Sequence, residues 1–261
     1  MLRSDPHLSH AFFPSCASAM NLNSAAAILL LTLTASCAST SSGWDEPLSS
    51  WGELKTVLSG GQTEGRVDLA EAAARPGTWG IGAVAGLTGE ILVRNGTVWI
   101  GRVTGPAECV TTAGVPEGEQ ATLLVVTQVS AWSESQLPSD MDMEQLEEHL
   151  ADMAGAAGLP EKGPFPFEVE GGIDGLELHV LNGMCPYATE NLPPENDPFH
   201  LASSHEHGLV VGFFADGQGG VLTHFGDRNH SHVLILGDDP VVGHFDGGVF
   251  KAGSLLRVPL R

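Results

Sequence analysis

The chain has 261 residues, long enough for one large or two small domains with a real core. Its 32 acidic against 11 basic residues give a formal charge of −21, which repels a nucleic-acid backbone or an anionic lipid surface and sets both aside as partners. With 33 Gly, 16 Pro and a single Tyr, the composition suits a turn-rich, strand-rich protein better than a helical bundle.

An apolar run at residues 25–35 (AAAILLLTLTA) is too short to span a bilayer and is followed by the small residues Ser36, Cys37, Ala38 and Ser39, the pattern of a signal peptide. The run Thr34-Ala35-Ser36-Cys37 resembles a bacterial lipobox, with Thr34 where Leu is more usual. Lipidation of Cys37 would anchor an exported protein to the cell envelope, and this anchor is the one membrane contact expected. Cleavage elsewhere would release a soluble exported protein instead, and Met20 is an alternative start. Residues 1–37 are therefore set apart as leader, 38–49 as tether and 50–261 as the folded domain. Cys16 and Cys37 belong to the leader or anchor. That leaves Cys109 and Cys185 either to pair in an oxidising compartment or to remain buried thiols.

Past the tether, residues 50–59 (SWGELKTVLS) predict a short helix with Leu54, Val57 and Leu58 on one face, and residues 67–74 (VDLAEAAA) a second, stopped by Pro76. Residues 78–84, 91–93 and 97–100 are apolar, rich in β-branched and aromatic residues and separated by Gly-rich turns, so they predict consecutive antiparallel strands, the last two joined at Asn95-Gly96. Another strand is expected at 121–129. The one substantial helix is expected at 141–157, where Met143, Leu146, Leu150 and Met153 share a face and acidic residues fill the other. A strand pair at 167–169 and 176–181 around residues 171–175, a loop over 186–204, and strands at 208–214, 231–236, 243–245 and 255–259 complete a strand-dominated α+β domain.

Seven of the eleven histidines fall between residues 200 and 244. Neutral imidazole is a common zinc ligand, and crowding of this kind points to a metal. In a strand, residues i and i+2 share a face, so His230-Ser231-His232 sets two imidazoles side by side. The turn at Gly237-Asp238-Asp239 would return His244 opposite them as a third ligand, leaving a position open for water or substrate. His205-Glu206-His207 has the same spacing but lies ahead of its strand, without a third ligand delivered by a hairpin.

The run Gly208 to Phe213 (GLVVGF), the His230-Ser231-His232 pair and Asp238-Asp239 leading to Gly243-His244 resemble the C-terminal metal motif of the α-acetolactate decarboxylases. Gly80-Ile81-Gly82 followed by Gly86 to Glu90 (GLTGE) is similar to that family's N-terminal strand pair; residues 142–150 resemble its helix and 167–180 its following hairpin, collinear over about 50–257. The resemblance implies a zinc held by His230, His232 and His244, with 2-acetolactate, or a related small 2-hydroxy-2-keto acid, losing CO2 to give acetoin. It also gives Glu90 a place beside the metal, whereas spacing alone makes Glu90 a solvated turn residue. A homodimer is left open.

Three departures from the family pattern stand out. His232 and His244 lie one residue further apart than usual. His179 falls where the family has an arginine, exchanging a bidentate, permanently charged fork for an imidazole. After the strand at 255–259 there is no counterpart to the segment that supplies a second catalytic glutamate. Two other readings therefore stand beside the decarboxylase: an exported metal-binding lipoprotein without the chemistry, with His205 and His207 as extra ligands, and a different reaction on the same scaffold with His179 as acid or base.

Overall fold

Two antiparallel sheets are built from the alternating apolar residues of the chain. The computed structural model describes residues 48–189 and 191–260; the leader, Cys37 and the tether up to residue 47 lie outside the described residues. The first sheet contains β1 (Ser49–Trp51), β2 (Val67–Asp68), β3 (Thr78–Val84), β4 (Glu90–Arg94), β5 (Thr97–Gly105), β6 (Glu108–Ala113) and β7 (Gln120–Gln128). Its order is β1-β7-β3-β4-β5-β6, with β2 also on β7. The second contains β8 (Trp132–Gln136), β9 (Phe165–Val180), β10 (Phe199–Phe214), β11 (Asn229–Ile235), β12 (Val241–Phe250) and β13 (Leu255–Pro259). Here β9 pairs with both β10 and β12, so β9, β10, β11 and β12 close into a ring and leave β13 and β8 on its flank.

Side-chain parity decides which residues meet. Ile91 and Val93 of β4 enter a cluster with Leu69 and Ala73 of the short helix α1 (Leu69–Ala73), while Leu92 points the other way, into the layer between the sheets. That middle layer also holds Trp79, Ile81 and Val125 from the first sheet and Leu209, Val211, Phe213, Leu234 and Val242 from the second. Glu90 and Arg94 share the parity of Leu92, so strand geometry turns both charges toward the second sheet. On its far face, the second sheet packs Phe165, Phe167, Val210, Phe214 and Phe245 against Leu146, Leu150 and Ala154 of helix α2 (Met143–Ala157). Each such Val, Leu or Phe side chain, fully buried, contributes roughly 1.5–3 kcal/mol relative to exposure.

The apex of the β4–β5 hairpin is the expected one. Asn95 and Gly96 have φ of +50° and +77°, the two left-handed positions that a tight hairpin turn demands. Helix α2 starts at a capping box: the Gln145 N–H donates to the Asp142 carboxylate, and the Asp142 N–H donates to the Gln145 side chain. The α+β, strand-dominated architecture agrees with the sequence expectation.

Several elements differ from it. Only Lys55–Ser59 of the first expected helix is helical, as a π-type turn, because Ser49–Trp51 pairs with the edge of β7 and Gly52 turns the chain at φ +75°. Val67 and Asp68 also pair with β7, and Asp68 caps α1 by accepting from the Glu71 N–H. Strands β6 and β8 carry polar, half-exposed faces with no apolar period to reveal them. The expected strand pair at 167–181 is one 16-residue strand, β9, with no hairpin. The residues it turns into the core change from Phe165, Phe167, Val169 and Ile173 to Leu176, Leu178 and Val180, and Gly175, at φ +60°, sits at the change. The expected loop over 186–204 ends early, since β10 begins at Phe199 to pair with the end of β9. Cys109 and Cys185 remain free thiols, on β6 and in the loop after β9.

Candidate metal centre

Register brings the histidines together. His232 lies directly opposite His244, His244 opposite His179, and His179 opposite His200, a row running across β11, β12, β9 and β10. On β11, His230 shares the face of His232, and the rings of His230, His232 and His244 have centroids 5.2 to 5.7 Å apart. The hairpin predicted from the Gly237-Asp238-Asp239 turn thus delivers His244 to the His-Ser-His pair.

Hydrogen bonds set the tautomers. The Nδ1–H of His232 donates to the Ile91 carbonyl at 2.8 Å, and that of His230 to the Leu222 carbonyl at 3.1 Å. Carbonyls can only accept, so in both rings the Nε2 keeps its lone pair. His244 Nδ1 donates to Asp246 Oδ1 at 3.0 Å, and its Nε2 is buried without a hydrogen-bond partner. Burial, reinforced by neighbouring imidazoles, holds His230 and His232 well below the usual imidazole value. Burial also lowers His244. Three neutral rings with committed Nδ1 atoms and free Nε2 atoms are the donor set that a divalent metal requires.

Glu90, 2% exposed, reaches this group from the other sheet, its Oε2 3.5 Å from His232 Nε2. Burial pushes its carboxyl up to about 8 against the opposing pull of His179 and a backbone N–H at Leu181. The solvated-turn alternative for Glu90 is therefore overturned by the parity of β4. His179, also buried, does not stand free as a substitute for a guanidinium: its Nδ1 lies 2.8 and 3.0 Å from the two oxygens of Asp246. Burial alone would lower His179, but the Asp246 hydrogen bond and the carboxylate charges of Glu90 and Asp246 outweigh it and leave it raised.

Asp246 was not singled out in the sequence. It accepts from His179, from His244 and, at 2.6 Å, from the Tyr187 hydroxyl. Burial would raise Asp246, yet the hydrogen bonds from His179 and His244 prevail and hold it well below the carboxylate range. Its position two residues after His244 was the available signal, since strand parity puts both on one face. His224 was counted among the histidines without a role. It comes from the loop between β10 and β11, whose irregular backbone carries no spacing rule. Donor atoms of His224, His230 and His244 all lie within 4.8 Å of one another, as do those of His179, His244 and Asp246. His232 belongs to neither of these tighter groups. His205 and His207 lie in β10, not ahead of it; both are exposed, and His205 bonds Asp174, so neither joins the centre.

Space matches chemistry. A cleft of about 780 Å³, lined by His224, His230, His244, Asp246 and Tyr187 together with Lys55 and Arg228, leads inward to a chamber of about 30 Å³. Glu90, His179, His230, His232 and His244 line the chamber, which has room for an ion or about one water. The orphaned Nε2 of His244 and the neutral donor set fit a metal there.

The protein family described as Alpha-acetolactate decarboxylase matches residues 53–235. Among solved structures, α-acetolactate decarboxylase from Bacillus subtilis strain 168 superimposes with a TM-score of 0.63 at 17% identity, covering 81% of this chain and 85% of that one. Acetolactate decarboxylase from Bacillus subtilis subspecies spizizenii gives 0.62 at 16%, covering 82% and 86%. A Staphylococcus aureus protein of unknown function, similar to α-acetolactate decarboxylase, gives 0.57 at 14%, covering 81% and 84%. No curated protein matches. Identities this low establish the shared fold, and the match over more than half of the chain establishes the rest: the chain belongs to the α-acetolactate decarboxylase family.

Proposed function

We propose that this protein is a metal-dependent decarboxylase that converts 2-acetolactate, or a closely related 2-hydroxy-2-keto acid, to CO2 and the corresponding hydroxyketone. Membership of the family supports decarboxylase-like chemistry. The observation that carries the finer reading is the shared tautomer of His230, His232 and His244, three neutral imidazoles with their Nδ1–H groups committed. These three residues would hold the metal, and an all-imidazole set suits zinc. Bound there, zinc would supply Lewis-acid charge where negative charge develops as the carboxylate leaves.

The chain's own residues do the remainder. In the reaction the bond between the carboxylate carbon and its neighbour breaks. The electron pair passes to the adjacent carbonyl oxygen, and the carbon is then protonated. Glu90, the buried carboxyl facing the chamber, donates that proton to the carbon and is reprotonated from water in the cleft. Asp246 and His179 fix the ring of His244 and exclude water from its Nδ1 side. Lys55 and Arg228 line the outer cleft but are paired with Glu53 at 3.0 Å and Asp216 at 3.8 Å, so neither replaces the permanently charged fork of the family arginine.

Purified protein given 2-acetolactate should form acetoin, and a His232→Ala variant should not. Absence of acetoin from protein carrying one equivalent of zinc would overturn the decarboxylase in favour of the metal-binding lipoprotein, the reading favoured by His179 in the arginine position. The proposal includes export and anchoring through Cys37; a Cys37→Ser variant that still partitions with membranes would exclude the anchor.

A further inference from the structure

We infer that His224 is a fourth imidazole ligand at the metal position, an inference that rests on the metal site proposed above and adds a residue from outside the strand motif. A donor atom of His224 lies within 4.8 Å of donors from both His230 and His244, and its ring centroid is 5.5 Å from that of His230 and 5.3 Å from that of His244. His224 lines both the outer cleft and the inner chamber, so it stands at the junction between them. Its ring nitrogens make no hydrogen bond among the described residues, while every other imidazole of the cluster uses Nδ1.

The loop that carries His224 is braced. The Gly220 N–H donates to the Thr223 carbonyl at 2.7 Å, the buried Thr223 hydroxyl donates to the Asp227 carbonyl at 3.0 Å, and the Ala215 N–H closes the loop base on the Arg228 carbonyl at 2.7 Å. The same loop presents the Leu222 carbonyl that sets the tautomer of His230. One segment therefore both orients a strand ligand and offers its own imidazole two residues later.

His224 also divides the cluster into two tiers. His224, His230 and His244 form the tight outer set, and His232 lies deeper, beside Glu90. A metal held with His224 would lie where the chamber meets the cleft.

Cobalt(II) loaded into the full-length protein tests this, because its visible absorption reports the ligand set. His224→Ala should weaken Co2+ binding by on the order of 100-fold, the upper end of what loss of an outer-shell partner costs, and change the visible spectrum. Added free imidazole should restore the wild-type spectrum by filling the vacated position. His224→Gln, which preserves bulk, should show the same loss and guards against a folding defect. Variants that bind Co2+ with wild-type affinity and an unchanged spectrum would overturn the assignment of His224. A wild-type protein that takes up no Co2+ would instead overturn the metal site itself.

Discussion

Asp246→Asn tests how the second sheet aims its ligands. The Asp246 carboxylate accepts three hydrogen bonds, from His179 at 2.8 Å, His244 at 3.0 Å and Tyr187 at 2.6 Å. All three donors reach Oδ1, and His179 alone also lies 3.0 Å from Oδ2, so an amide with its oxygen at Oδ1 keeps the acceptor but loses the charge assistance, while one with its N–H₂ there turns a donor toward both ring N–H groups. Loss of such an outer-shell partner lowers metal affinity roughly 10–100-fold, or about 1.4–2.7 kcal/mol. Zinc affinity measured by competition with a chromophoric chelator, at constant pH and with thermal unfolding as a control, should fall within that range. Tyr187→Phe, which removes one hydrogen bond and retains the carboxylate, should lose less. A folded Asp246→Asn protein whose zinc affinity stays within about twofold of wild type would refute the claim that Asp246 orients His244.

Stability offers two further tests. Glu168, 1% exposed, accepts from Trp79 Nε1 at 3.1 Å, from Arg94 Nε and Nη2 at 3.0 and 2.9 Å, and from Arg257 Nη1, tying the first sheet to β9 and β13. Glu168→Ala leaves Trp79 Nε1 and Arg94 Nε without this acceptor while Arg94 and Arg257 keep Glu170, and should cost about 1–3 kcal/mol, read as a lowered denaturation midpoint at unchanged m-value. Glu170 is held below its usual value by the Arg257 hydrogen bond, against burial and with help from the Arg94 charge. Its stabilisation is therefore complete above the unfolded value of about 4.3 and is lost as pH falls through the depressed folded value. The stability deficit of Glu170→Gln relative to wild type should hold from pH 7 to pH 5 and close in stronger acid; a deficit independent of pH down to full protonation would contradict the pairing.

Local chemistry was legible in the chain. Asn95-Gly96 specifies its turn because both residues tolerate positive φ, and the shared face of Met143, Leu146, Leu150 and Met153 specified α2, while its start at Met143 rather than 141 is set by the Asp142–Gln145 capping box seen in the fold. His230-Ser231-His232 specifies a shared face because strands alternate, and the following turn returned His244 to it. The resemblance to the decarboxylase family was readable from collinear motifs. Less visible was β9, whose glycines suggested a turn; in the folded protein Gly175 instead lets one strand change the side it buries while pairing along its length with β10.

What the sequence by itself determined is the set of strand-borne imidazoles and the family. Tertiary structure alone decided the company those imidazoles keep. Glu90 reaches His232 only because β4 of one sheet lies across β11 of the other, and His179 meets Asp246 only because β9 closes against β12. His224 arrives on a loop that obeys no period. Parity and turn rules act over two to four residues, whereas these meetings join positions 67 to 142 residues apart, and the register of long-range pairing sets them.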